Sequence, residues 1–237
     1  MQKTLLSIAA SITVFASSSA ALAGGGGPGD AIIATDAVVF GNTYGEWAGR
    51  WVQWVLSIPT ASNPTLDTSG ANCAQGQAGP VWFLAGNFGG TVSRTCTVPA
   101  GKALFFPLVD GLFGAGAGDC APSNPGVACN LVTLRQGASA AMDPAYVTLA
   151  ATLDGKALYD LHDQHVQTPV LLLTYPDNSL ANYPAGTYNP NVADGYWLMF
   201  APLKPGHHTL SFSARISGGP FAGFSVGPVT YTLTISR

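Results

Sequence analysis

Charged residues make up only 9% of this 237-residue chain, against about 25% in an ordinary soluble domain. Glu46 is the sole glutamate. Nine lysines and arginines stand against twelve acids, for a formal net charge of −3. The basic residues are scattered, so the chain lacks the electrostatic footprint that nucleic acid or an anionic membrane surface needs, and both are excluded as partners. Long apolar runs are missing as well. Past the N-terminal region no stretch approaches about 18 residues without a glycine, a proline or a charge, so no transmembrane helix is expected. Cysteine is sparse but even in number: Cys73, Cys96, Cys120 and Cys129. In an exported chain they read as two disulfides with three possible connectivities. Cys73 with Cys96 and Cys120 with Cys129 closes the two shortest loops and is the expected pairing.

What is present begins with a leader. Lys3, an apolar run over 5–15, a Ser/Ala stretch and Ala21-Leu22-Ala23 ahead of four glycines form the pattern of a cleaved secretory signal, with the cut expected after Ala23. The run is too short for a membrane span. Residues 24–237 are then expected as one exported domain, secreted or periplasmic, long enough to bury a sizeable core.

One segment, 43–58, reads unambiguously as a helix. At 100° per residue Tyr44, Trp47, Ala48, Trp51, Trp54, Val55 and Ile58 share one broad arc. Thr43 and Glu46 have capping-box spacing, and Pro59 stops the helix. Only a narrow polar stripe remains: Glu46, Arg50, Gln53 and Ser57. So much apolar circumference predicts cover on most sides, which makes the helix the central post of the core.

Elsewhere the period is that of sheet. Residues 31–40 are mostly apolar and read as a short strand, and 60–79 as a long irregular loop pinned by Cys73. Runs at 81–85, 92–98 and 103–109, separated by Gly86 to Gly90 and by Pro99-Ala100-Gly101, predict an antiparallel meander. A second, weaker helix is expected over 131–142. Residues 147–153 alternate and meet Asp154-Gly155, a two-residue hairpin turn, with 156–161 as the return strand. A strand over 169–175, a loop over 176–195 and a strand over 196–201 follow. Residues 208–216 and 229–235 alternate wet and dry. The fold class is therefore mainly β, an antiparallel β-sandwich with one buried Trp-rich helix near the N-terminus and a second short helix.

Glu46-Trp47, Arg50-Trp51, Gln53-Trp54 and Ser57-Ile58-Pro59, together with Gly79-Pro80-Val81-Trp82-Phe83-Leu84-Ala85-Gly86 and Arg94-Thr95-Cys96-Thr97-Val98-Pro99-Ala100-Gly101-Lys102, carry a resemblance. So do Asp194-Gly195-Tyr196-Trp197 and Pro205-Gly206-His207-His208. The chain resembles a group of exported bacterial proteins of uncharacterised function. The resemblance implies one exported domain and carries over no functional residue.

Chemistry is harder to find. Gly223-Phe224-Ser225-Val226-Gly227 fits a nucleophile elbow, but a strand follows where a helix belongs, and no acid or histidine lies beyond Ser225. Gly114 to Gly118 lacks the Gly-Lys-Ser/Thr ending of a phosphate loop. His162 and His165, with Asp160 and Asp163, could ligate metal only on a helical turn, and a polar turn explains them better. His207 and His208 adjoin a turn and make an equally poor metal pair. Asp177, Asn178, Asn182, Asn189, Asn191 and Asp194 offer calcium-type oxygens without a fixed spacing, so ordinary turn chemistry is the better account. No cofactor or metal is expected. Glycoside hydrolysis would pair Glu46 with an aspartate such as Asp67 or Asp110.

Glu46, Arg50 and Gln53 are the candidate ligand-binding residues, a row of polar side chains able to orient a small polar ligand or glycan. The plain alternative is the solvent edge of a buried helix. The reading is thus a non-enzymatic exported binding or envelope protein. Two alternatives are a glycan-acting hydrolase through Glu46 and an aspartate, and an assembly module.

Overall fold

The computed structural model describes residues 32–121 and 124–237. The leader and its cleavage point lie outside the described residues. Helix α1 spans Tyr44–Leu56, and Thr43 and Glu46 close the capping box that their spacing predicts. Strands follow at β1 (Val81–Phe83), β2 (Val92–Pro99) and β3 (Ala103–Gly114), then helix α2 (Leu131–Ala141). After it come β4 (Val147–Leu153), β5 (Lys156–Ala157), β6 (His165–Gln167), β7 (Leu171–Tyr175), β8 (Gly186–Phe200), β9 (Gly206–Ile216) and β10 (Ser225–Ser236).

Two five-stranded sheets face each other. The first runs β1-β3-β8, with β6 and β7 both pairing along the far edge of β8; the second runs β2-β10-β9-β4-β5. Both are mixed, because β1 lies parallel to β3 and β2 parallel to β10. The expected meander over 81–109 therefore does not form: β1 and β3 join one sheet and β2 crosses to the other. Burial explains the split. β3 is almost entirely buried, as a strand covered on both faces must be, whereas β2 alternates, with Arg94, Cys96 and Val98 inward and Ser93, Thr95 and Thr97 outward. A strand with one wet face belongs in the outer sheet.

The first sheet is thus the middle layer, with a core on each side. One joins α1 to Phe105, Trp197 and Met199; the other lies between the sheets and holds Phe106, Leu198, Phe212 and Tyr231. Helix α1 is an outer layer on the first sheet rather than a central post. Its three tryptophans are 5–6% exposed, because loops close over them. Their indole N–H groups donate to the carbonyls of Val39, Leu84 and Gln75, each at 2.8 Å, so no polar atom of these rings is left unmatched. The 59–79 loop that covers Trp54 is tied to β2 by Cys73–Cys96, and Cys120–Cys129 closes the second predicted disulfide.

Three further expectations change. Residues 32–40 make only isolated bridges, Ile32 to Phe200 and Val39 to Asn42, because Phe40 turns the chain at a φ of 50°. The return strand after the Asp154-Gly155 turn ends at Ala157. Strand β8 begins at Gly186, ten residues before the expected start at Tyr196. Its polar residues are paired inside the fold: Asn191 accepts from the Gly116 N–H and donates to the Tyr188 carbonyl.

Candidate functional site

The stripe on α1 is held by the fold. The Glu46 carboxylate accepts from the Thr43 N–H at 2.7 Å and its hydroxyl at 2.9 Å. These hydrogen bonds, the backbone one first, hold its pKa below the usual value. Gln53 is doubly bound to edge strand β7: its amide N–H donates to the Thr174 carbonyl at 2.9 Å, and its oxygen accepts from the Thr174 N–H at 3.0 Å. Arg50 lies over the Trp47 ring, 5.3 Å from its centroid. With Gln53 it lines the open grooves on either side of the helix. Gln53→Ala removes both links to β7 and is expected to cost about 1 kcal/mol, read as a lower urea midpoint at unchanged slope.

Neither partner suggested for Glu46 shares a cleft with it. The Asp67 carboxylate is committed to the Ser69 N–H and hydroxyl and to the Asn72 N–H. Asp110 lines a cavity on the other face of α1, where Trp51 and Val55 point.

That cavity has a volume of about 180 Å³ and sits where the two cores meet at one end of the sandwich. Trp51 and Val55 of α1, Leu108 and Leu112 of β3, and Phe224 and Val226 give it apolar walls; Phe88 stands beside them, largely exposed. A β-bulge aims Asp110 into it. The β3–β8 register shifts between Pro107 and Val109, so Leu108 and Val109 both face the inter-sheet core and Asp110 turns to the helix side. Gly195, paired with Asp110, allows the close approach: a Cβ there would lie 2.5 Å from the Val109 carbonyl oxygen.

Asp110 has no side-chain hydrogen bond among the described residues, and burial pushes its carboxyl up to about 7. Asp110 is half-buried and lines the cavity. Thr65, 8% exposed, also lines the cavity, but its hydroxyl is buried behind that wall without a hydrogen-bond partner. The other polar groups there are used up. Trp51 donates to Leu84, and the Asn87 amide donates to Gly89 and Gly90 and accepts from Gly227.

Arg94 braces this wall from behind. Only 2% exposed, it donates to the carbonyls of Asp67, Ala85, Gly86 and Thr65 and to the Tyr231 hydroxyl, at 2.6–3.0 Å. It thereby fixes two cavity-lining segments, at Thr65 and Gly86, to β2 and β10.

The histidines lie elsewhere. His165 contacts the buried Asp194 carboxylate at 2.6 Å, and Gln167 and Ser139 donate to the same group. Burial works against the charge on Asp194, but these hydrogen bonds, led by His165, keep its pKa below the usual value. Ser139 bonds to the acid itself, so the trio is a joint between α2, β6 and β8 rather than a relay toward a nucleophile. His162 meets the Val147 carbonyl. Asn191 and Asp194 of the suggested calcium loop lie inside β8 with their oxygens engaged. Among the described residues no three His, Cys, Asp or Glu side chains are grouped as a metal would require. Ser225 opens strand β10, opposite Arg215, so no elbow forms.

Sequence reasoning named Asp110 only as a partner for Glu46 and did not name Thr65. The available signal was an aspartate inside the otherwise apolar stretch from Ala103 to Phe113. No protein-family model, curated protein or solved structure matches the chain.

Proposed function

We propose that the protein is an exported binding protein, without catalytic chemistry of its own, that takes a small and mostly apolar molecule into the cavity between α1 and β3. The observation that carries this reading is the pairing of apolar walls with one unpartnered polar side chain, Asp110. A pocket of that make-up supplies burial for affinity and a polar contact for orientation. It is favoured over the helix stripe because Glu46 and Gln53 already spend their hydrogen bonds on Thr43 and Thr174. Export is supported by the leader pattern and by both disulfides. No helix among the described residues is long and apolar enough to cross a membrane.

The test is a titration with benzyl alcohol followed by two-dimensional NMR. Saturable shifts are expected at the Trp51 indole N–H and at the Thr65 and Val226 amides, and the variant Leu112→Trp, whose larger side chain fills the space, abolishes them. Shifts confined to the Arg50 grooves, or unaffected by the filled cavity, would contradict the assignment.

A further inference from the structure

We propose that the natural occupant of this cavity is a small organic cation, a primary ammonium on a ring-sized apolar body, with the ammonium against Asp110. The inference rests on the cavity being a ligand site, as proposed above, and adds the chemical class of the ligand.

Size comes first. An apolar cavity of about 150 Å³ accommodates benzene, so about 180 Å³ takes a six-membered ring with one or two further heavy atoms. Charge comes next. Among the described residues Asp110 is the sole ionisable group lining the cavity. The elements packed around it supply no cation for it: α1 presents Trp51, Val52 and Val55, and β10 with its preceding turn presents Val226 and Phe224. On β8, Asp194 sits opposite Gly111 but is turned to His165, Gln167 and Ser139. Arg94 lies behind the Thr65 and Gly86 carbonyls and directs its N–H groups to them and to Asp67, Ala85 and Tyr231. The described residues thus place an acid in an apolar wall without supplying its counter-ion. A ligand ammonium would fill that role: it can donate to the Asp110 carboxylate, and the Trp51 and Phe224 rings lie in the same lining for cation–π contact.

Proton accounting fixes the pH dependence. Where Asp110 is protonated, binding R–NH3⁺ forms the ion pair and releases the carboxyl proton to solvent. Affinity should therefore rise about tenfold per pH unit up to near pH 7 and level off above it, a gain of roughly 100-fold between pH 5 and pH 8.

Benzylamine, benzyl alcohol and toluene carry the same ring and differ in the group offered to Asp110. Calorimetric titration of each into the wild-type protein and into Asp110→Asn, whose folding is checked by its thermal melt, separates the two claims. The expected result at pH 8 is benzylamine binding at least about tenfold tighter than benzyl alcohol. In Asp110→Asn that preference disappears while benzyl alcohol still binds. If benzyl alcohol and toluene bind but benzylamine is no tighter, or if Asp110→Asn keeps the preference, the cavity stands as a ligand site and the cation proposal is wrong. If none of the three binds, the proposed function itself fails and this inference with it.

Discussion

Replacing Arg94 by methionine is expected to lower the free energy of unfolding by about 4 kcal/mol, a large share of the roughly 5–15 kcal/mol that holds an ordinary domain together. Methionine refills the space of the aliphatic stem but leaves the carbonyls of Thr65, Asp67 and Gly86 without their donor, the Ala85 carbonyl with only the Tyr231 hydroxyl, and that hydroxyl with one partner fewer. Each buried group so orphaned costs about 1–3 kcal/mol. The desolvation cost of the charge itself, relieved by the substitution, offsets part of that sum. Arg94→Lys keeps one charge but not the planar fork, so its loss should fall between wild type and methionine. Urea unfolding measures both, and a loss below about 1 kcal/mol for Arg94→Met would show that water or chain movement satisfies the carbonyls. Because Thr65 and Gly86 line the cavity, the variant should also weaken benzyl alcohol binding under conditions where it stays folded.

Asp110→Asn is expected to stabilise the protein at pH 8 by up to about 4 kcal/mol and to change little at pH 3. Burial raises the Asp110 carboxyl from its ordinary 3.8 to about 7. The stability associated with the protonated form is fully present below pH 4 and is lost as the pH climbs through 7, since the folded chain holds a proton there that the unfolded chain has released. About three pKa units at roughly 1.4 kcal/mol each set the ceiling. Glu46, Asp67, Asp154 and Asp194 are shifted the other way, downward, so they stabilise above pH 4 and lose that contribution in acid. The wild-type profile therefore mixes opposing trends, and the difference between wild type and Asp110→Asn isolates the one carboxyl. A flat difference across pH 4–8 would mean that Asp110 is solvated, and the cavity would lose its distinguishing group.

Local signals were the legible part of this fold. The Thr43–Glu46 capping box and the Asp154-Gly155 turn could be read directly because each is set by short-range geometry, whereas the two disulfides formed were one of three pairings that the sequence left open. What the chain hid depends on partners distant in sequence. The crossing of β2 to the second sheet is decided by β10, more than a hundred residues later. The polar run before Tyr196 looked like a loop because Asn191 and Asp194 find their partners on the Gly114–Gly118 turn, α2 and β6 rather than in water. The helix stripe stood out because charge is scarce, yet scarcity alone does not separate a polar residue that serves the fold from one that awaits a ligand. Glu46 and Gln53 are of the first kind. Asp110 was masked by its apolar neighbours, and its exposure to a cavity depends on a bulge that no residue pattern announces.

The most direct test of the cavity as the functional centre is a crystal soaked in bromobenzene and read by the anomalous signal of bromine. The structure calls for one well-ordered bromine between Trp51, Leu112 and Asp110, absent from Leu112→Trp crystals. Bromine found only along the Arg50 grooves, or scattered over the surface, would contradict it.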